Sequence, residues 1–213
     1  MFGIWFNRLL EKSNIYNLVQ IIFAPGSSYF LDKLFKSVFN DSGGLVLDVG
    51  SGPLLTTPFP NGQIVGLDIN LHYLQTYPGD KKNNAVKTRG VFNYSKVVGS
   101  ADFLPFKSRA FDECRSFGLL HHLPDESAVA TIRGMLRCAR NGGKVIIIDN
   151  VWPRNIFLRP MAWLVRKMDR GRWVRHEEAL IQLVNRAHAG DWRFRRFTYS
   201  FNGLESLVLM ITK

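Results

Sequence analysis

Cysteine is nearly absent. The chain has two in 213 residues, Cys114 and Cys138, with no CxxC and no Cys/His ligand spacing. That excludes a disulfide framework and a zinc site, and makes a reducing cytoplasm the default compartment. Long apolar runs are missing too: none reaches the roughly 18–20 residues a bilayer span needs. The opening stretch, MFGIWFNRLLEKSNIYNLVQIIFAPG, is apolar but interrupted by Asn7, Arg8, Glu11, Lys12, Asn14, Asn17 and Gln20. It lacks a basic start, an apolar core and a small-residue cleavage site, so it reads as a helical cover over residues 1–40, not as a signal peptide. No GxxxxGK[ST] is present, which argues against a nucleoside triphosphate. Repeats and low-complexity segments are lacking. Acids are scarce: 17 Asp and Glu stand against 28 Lys and Arg, a net charge of +11. Residues 133–196 carry nearly all the imbalance, with 15 basic and 5 acidic side chains. Such a field favours an anionic partner: nucleic acid, acidic lipid or a phosphorylated substrate.

What is present is an alternation. The length, 213 residues, suits a single domain over 1–213. Val46–Val49, Ile64–Leu67, Lys96–Gly99 and Phe111–Phe117 read as strands. Asn70 caps a helix through Tyr77, stopped by Pro78-Gly79, and Asp125 caps one to about Ala139, stopped by the NGG of 141–143. Lys144–Asp149, KVIIID, is apolar without alternation, as a strand buried on both faces would be. His176–His188 reads as a helix, and Arg193–Ser200 with Ser206–Thr212 as a closing antiparallel pair. The class is α/β, a Rossmann-like, mostly parallel sheet with helices on both faces. In such sheets ligands bind beyond the C-terminal ends of the strands. Those ends carry Gly50-Ser51-Gly52, then Asp68, then Asp102, then Gly118–His122.

The chemistry of these ends points to a nucleoside with a cationic amino-acid end. Gly50 and Gly52 permit a sharp turn and a close backbone approach. Asp48 would repel a pyrophosphate but accept from an ammonium. Asp68 can take both hydroxyls of a ribose, and Asp102 an exocyclic amine, with Ile69 and Phe103 offering apolar faces to the base.

The motifs VLDVGSGP, VGLDIN, GSADFLPF, FDECRSFGLLHHLPDE and GGKVIIID, spanning roughly 44–150, resemble those of class I S-adenosylmethionine-dependent methyltransferases. The type 11 group that includes the ubiquinone and menaquinone C-methyltransferases is the most similar. The resemblance implies a seven-stranded sheet in the order 3-2-1-4-5-7-6 with strand 7 antiparallel. It also implies S-adenosylmethionine as cofactor, with Asp48, Gly50, Ser51, Gly52 and the Leu119 backbone around the methionine end, Asp68 on the ribose, and Ile69, Asp102 and Phe103 at the adenine. YNLVQ at 16–20 and DRGRWVR at 169–175 further resemble segments of small bacterial methyltransferases with a short first crossover.

Transfer of a methyl group from a sulfonium needs position and a dry site more than acid–base help. Where the acceptor must lose a proton, His121 after strand four, or Asp149 at the end of strand five, is the candidate catalytic base; packing or capping of the following helix is the competing role. No metal is called for. Residues 153–175 form a basic amphipathic insertion over the expected acceptor site. Asn155, Arg159, Ala162, Arg166 and Arg170 make one small or polar stripe, opposite Ile156, Phe157, Leu158, Met161, Trp163, Leu164, Val165 and Met168. Such a helix lies on an anionic membrane, peripheral on its inner face, or closes a lipophilic site; packed as a plain lid, it would leave its arginines solvated. The leading expectation is therefore methylation of a small or lipophilic acceptor: a quinone-like, isoprenoid or glycolipid intermediate. An RNA methyltransferase is the alternative, disfavoured because GLLHH stands where amino-methylating nucleic-acid enzymes carry Asn/Asp-Pro-Pro-aromatic. A cofactor-fold binding protein without catalysis is the third, prompted by Leu54 in place of a third glycine and by Pro58 and Pro60 in the crossover. A crossover of about one helical turn would need no glycine at Leu54, and the segment around Tyr16 is the expected cover for the methionine end.

Overall fold

A computed structural model describes residues 23–39, 44–52, 62–75 and 93–213. The expectations for Leu54, Pro58 and Pro60, for the segment around Tyr16 and YNLVQ, and for the helix end at Tyr77 with Pro78-Gly79 lie outside the described residues.

The elements run α1 (Ser27–Val38), β1 (Leu45–Val49), β2 (Gln63–Asp68), α2 (Leu71–Gln75), β3 (Asn93–Val98), β4 (Phe111–Phe117), a 3-10 turn (Leu120–His122), α3 (Asp125–Cys138), β5 (Ala139–Val151), α4 (Pro160–Lys167), α5 (Glu177–Ala187), β6 (Trp192–Thr198) and β7 (Glu205–Thr212). The seven strands make one sheet in the order β3-β2-β1-β4-β5-β7-β6. β1 through β5 pair in parallel, and β7 runs antiparallel between β5 and β6.

The unbroken apolar run of β5 has a simple cause. Val145, Ile147 and Val151 enter the core beneath α3 and α5, whereas Ile146 and Ile148 face the other way, against Leu34 and Phe35 of α1. Both faces are covered, so alternation would have placed polar groups in a core. α3 buries Ala128, Val129, Ile132, Met135 and Leu136, the i, i+3, i+4 stripe of a one-sided helix, and its first turn places Asp125 and Glu126 at the positive end of the helix dipole.

Two local expectations change. The N-cap of α3 is Pro124, with Asp125 already helical. The helix ends at Cys138 and Ala139 is already extended, so the NGG of 141–143 lies inside β5. There the ladder shifts between Phe111 and Glu113, and Gly142 at φ 74° donates its N–H to Lys213 O. Glycine suits this irregularity because an L side chain is strained at positive φ.

The parallel pairing brings the ends of β1, β2, β3, β4 and β5 to one rim. Because Val151 pairs with Glu205 and Thr198 with Glu205, the turn joining β6 to β7 reaches the same rim.

Candidate active site

The turn after β1 is built by hydrogen bonds to β2. Gly50 N–H and Ser51 N–H both donate to Leu67 O, at 2.8 and 3.1 Å. Gly50 and Gly52 sit at φ 71° and 63°. A Cβ on Gly50 would meet the Leu119 side chain, whereas one on Gly52 would meet nothing within 4 Å among the described residues. Gly50 thus lets Leu119 lie across the turn, and the positive φ of Gly52 suits glycine. Asp48 is buried directly beneath this turn.

Asp68 closes the same turn from the second strand. Its Oδ2 accepts from Gly52 N–H at 2.9 Å and its Oδ1 from Asn70 N–H at 2.8 Å, while Asn70 Oδ1 accepts from His72 N–H at the start of α2. Each carboxylate oxygen has a second lone-pair direction available to a ligand hydroxyl. Next along the rim, Asp102 is held by Ser100 Oγ and Ser127 Oγ. Around these carboxylates stand large apolar side chains in water: Ile69 is 74 % and Phe103 81 % exposed, and Val98, paired with Asp68, is exposed as well. Ser51 Oγ is buried with no hydrogen-bond partner among the described residues. Unused acceptors, exposed apolar faces and an orphaned hydroxyl in a glycine cradle suit a nucleoside carrying a polar tail.

His121 and Asp149 meet, but not in the open. The His121 ring is buried, and its Nδ1–H donates to Asp149 Oδ1 at 2.5 Å. Nε2 faces Asp169 Oδ1 at 3.7 Å. Gly171 packs so closely on the ring that a Cβ there would overlap His121 Cδ2, and Trp173 N–H donates to His121 O at 2.9 Å. Burial pushes the His121 pKa down, but the charge and hydrogen bond of Asp149, with Asp169 beyond, outweigh it and hold it above its ordinary value. Asp169 is also desolvated, yet His121, Gly171 N–H and Arg166 hold its carboxyl below the usual range. The His122 ring lies 4.2 Å from the His121 ring, tilted by 41°; desolvation and the His121 charge push its pKa down to about 4. The charged form is thus favoured at His121 relative to a free imidazole, and His122 is neutral at neutral pH.

The strap 169–175 that boxes His121 is tied down by Arg175. Its guanidinium donates to Asp125 Oδ1 at 2.7 and 2.9 Å, to Leu120 O at 2.8 Å and to Leu123 O at 2.7 Å. Asp169, Gly171 and Arg175 were missed as site residues in the sequence reading. The signal was there in DRGRWVR: a single acid in a basic run, and a glycine where the chain must pass a ring.

Within α4 the small or polar stripe turns inward, while Asn155 and Arg170 at its two ends are exposed. Ala162 is fully buried, and Arg166, 4 % exposed, donates to Val151 O, Glu205 O, Asn150 Oδ1, Tyr199 Oη and Asp169 Oδ2. Arg159 pairs with Glu205 at 2.8 Å, and Arg154 and Arg196 with Glu177 at 2.7 and 2.6 Å. Arg159 and Arg166 are thus spent on partners inside the fold, where a plain lid would have left them solvated, while Arg154 reaches Glu177 from the surface. Among the described residues of the insertion, Lys167, Arg170 and Arg172 stand in water without a carboxylate partner. Phe157, 91 % exposed, and Leu158, 79 %, face outward with Ile156, Met161, Leu164 and Met168.

Comparison with known proteins agrees with this geometry. Residues 47–147 match the methyltransferase domain family. Demethylmenaquinone methyltransferase of Anoxybacillus flavithermus is 35 % identical over 103 residues, 48 % of this chain and 40 % of that protein. The tRNA (carboxymethyluridine(34)-5-O)-methyltransferase of Xenopus tropicalis is 32 % identical over 111 residues, 52 % of this chain and 16 % of that protein. A SAM-dependent methyltransferase of Methanosarcina mazei superposes with a TM-score of 0.62 at 15 % identity, covering 84 % of this chain and 96 % of that one. The chain spans less than half the length of these two curated relatives. The sheet order and the matched segment are those of the S-adenosylmethionine-dependent methyltransferases. S-adenosylmethionine is the cofactor of that class, and the glycine cradle, Asp68 and the exposed faces of Ile69 and Phe103 fit it.

Proposed function

We propose that this chain transfers a methyl group from S-adenosylmethionine to a small lipophilic acceptor, quinone-like, isoprenoid or glycolipid. The observation that carries the reading is the outward side of the insertion: Arg159 and Arg166 are consumed by carboxylates and carbonyls of the fold, and the large side chains left facing outward, Phe157, Leu158, Met161 and Leu164, are apolar.

When bound, the cofactor supplies a methyl already activated by its sulfonium. The protein's part is to hold and to exclude water. Asp48 and the Gly50–Gly52 turn receive the amino-acid end, Asp68 the ribose, and Asp102 with Ile69 and Phe103 the adenine. His121 is a positioning residue in this scheme. Its ring, gripped by Asp149 and Asp169, fixes the strap 169–175 over the ends of β4 and β5. His122, neutral and exposed, is the better-placed group to take a proton from an acidic acceptor, though a pKa of about 4 makes it a weak base.

The relative acting on tRNA supports a second reading, RNA methylation. Methyl transfer from labelled cofactor decides between them. A demethylated short-chain quinone should accept label and bulk tRNA should not; label in tRNA alone would overturn the lipophilic reading. Cofactor binding with transfer to neither would favour the inactive binding protein.

A further inference from the structure

We infer that the outward face of the insertion is a docking surface for an anionic lipid bilayer. In α4 the buried residues Ala162 and Arg166 and the outward residues Met161 and Leu164, with Met168 at the C-cap, lie on opposite sides of the helix. Phe157 and Leu158 extend the outward side through the preceding turn, where Asn155 Oδ1 accepts from both their N–H groups and holds the turn in shape. Phe201, in the turn between β6 and β7, lines one cavity of about 400 Å³ with Leu158 and Met161, so its exposed ring belongs to the same patch. A contiguous apolar patch on a rim marks an interface, because solvent offers nothing to offset it.

The occupant is chosen by charge. Lys167, Arg170 and Arg172 flank the patch, exposed and without carboxylate partners among the described residues, whereas Asp169 between them turns inward to Arg166 and Gly171. A second copy meeting this face by two-fold symmetry would set these cations against their own counterparts. Nucleic acid would use the cations but leave Phe157, Leu158 and Met161 in water. A bilayer with acidic headgroups satisfies both: apolar side chains enter the boundary between headgroups and acyl chains, and the cations lie at the phosphate level. The rim that would carry the cofactor is then the rim that meets the membrane. That link to catalysis rests on the lipophilic-acceptor reading; the docking itself does not.

The test is co-sedimentation of the full chain with vesicles of phosphatidylcholine, with and without phosphatidylglycerol, alongside filter binding to bulk tRNA and sedimentation equilibrium. Binding to the anionic vesicles is expected. Phe157→Ser with Leu158→Ser should weaken it by roughly tenfold or more. Arg170→Gln with Arg172→Gln should weaken it roughly twenty-five-fold, about fivefold for each charge. All four positions are exposed, and calorimetric S-adenosylmethionine binding should be unchanged in both variants, which shows that they fold. No binding to anionic vesicles by the wild type, or equal binding by the Phe157/Leu158 variant, overturns the inference. So does tRNA retention that the Phe157/Leu158 variant leaves intact, or a dimer that this variant dissolves. Intact cofactor binding and quinone methylation alongside failed docking would leave the proposed function standing.

Discussion

Replacing Arg166 tests whether the insertion is held by its polar side. Five acceptors depend on this one guanidinium: Val151 O at 3.2 Å, Glu205 O at 2.8 Å, Asn150 Oδ1 at 3.0 Å, Tyr199 Oη at 2.7 Å and Asp169 Oδ2 at 3.2 Å. The guanidinium also stacks 5.5 Å from the Tyr199 ring centre. Arg166→Met keeps much of the volume and removes every donor. The carbonyls of Val151 and Glu205 and the carboxylate of Asp169 are then left in a dry environment. Breaking a buried, hydrogen-bonded charge in this way costs about 3–5 kcal/mol. Against a total stability of about 5–15 kcal/mol that is a large share. For a chain of 213 residues, at roughly 2–4 °C per kcal/mol, Tm should fall by about 6–20 °C. Arg166→Lys keeps the charge but has three donors in place of five and no planar fork, so its loss should be intermediate. Thermal melts by circular dichroism, with urea titrations to compare m-values, measure both. A fall in m with little change in midpoint would mean that α4 detaches locally. A Tm within about 2 °C of wild type in both variants would refute the claim that buried arginines anchor the insertion.

Three further outcomes follow from the same geometry. Gly171→Ala should loosen the strap by about 1–3 kcal/mol, because the added methyl overlaps the His121 ring; proteolysis within 169–175 reads this, and unchanged protection would contradict the contact. Stability should depend on pH through His121. Its folded pKa is raised, so its contribution is fully present below the unfolded value of about 6.5 and is lost as pH rises through the folded one. Urea midpoints should therefore decline as pH rises beyond about 6.5 in wild type and less so in His121→Gln; equal slopes would refute it. Asp169 works in the opposite window: its folded pKa is depressed, so its contribution holds above about 3.8 and is lost as pH falls below that, a loss that Asp169→Asn should abolish in acid titrations.

The rim was legible in the sequence because each of its features is local. A glycine turn after an apolar run and an acid at the end of the next strand need no knowledge of distant residues, and the motif order carried the strand order with it. The NGG of 141–143 misled because a glycine run reads as a helix stop; the ladder irregularity it serves involves Phe111 and Glu113, far away in sequence. The insertion was only half legible for the same reason. Periodicity gave its two faces, but not which one turns inward. The deciding acceptors, Glu205, Asn150 and Tyr199, come from β7, β5 and the turn after β6, and Glu205 lies one residue before the start expected for its strand. His121 and Asp149 were found as chemistry-bearing residues, yet their burial depends on Gly171 and Asp169, which reach them only through the folded strap.

The most direct measurement is calorimetric titration of S-adenosylmethionine into the purified chain and into Asp68→Ala. Asp68 joins the two halves of the cradle through Gly52 and Asn70, and charge-assisted hydrogen bonds are worth about 1.5–3 kcal/mol each. Binding is predicted for the wild type, with affinity reduced roughly tenfold to a hundredfold in Asp68→Ala. An intact, folded chain that shows no heat of binding and no thermal shift with S-adenosylmethionine would contradict the account.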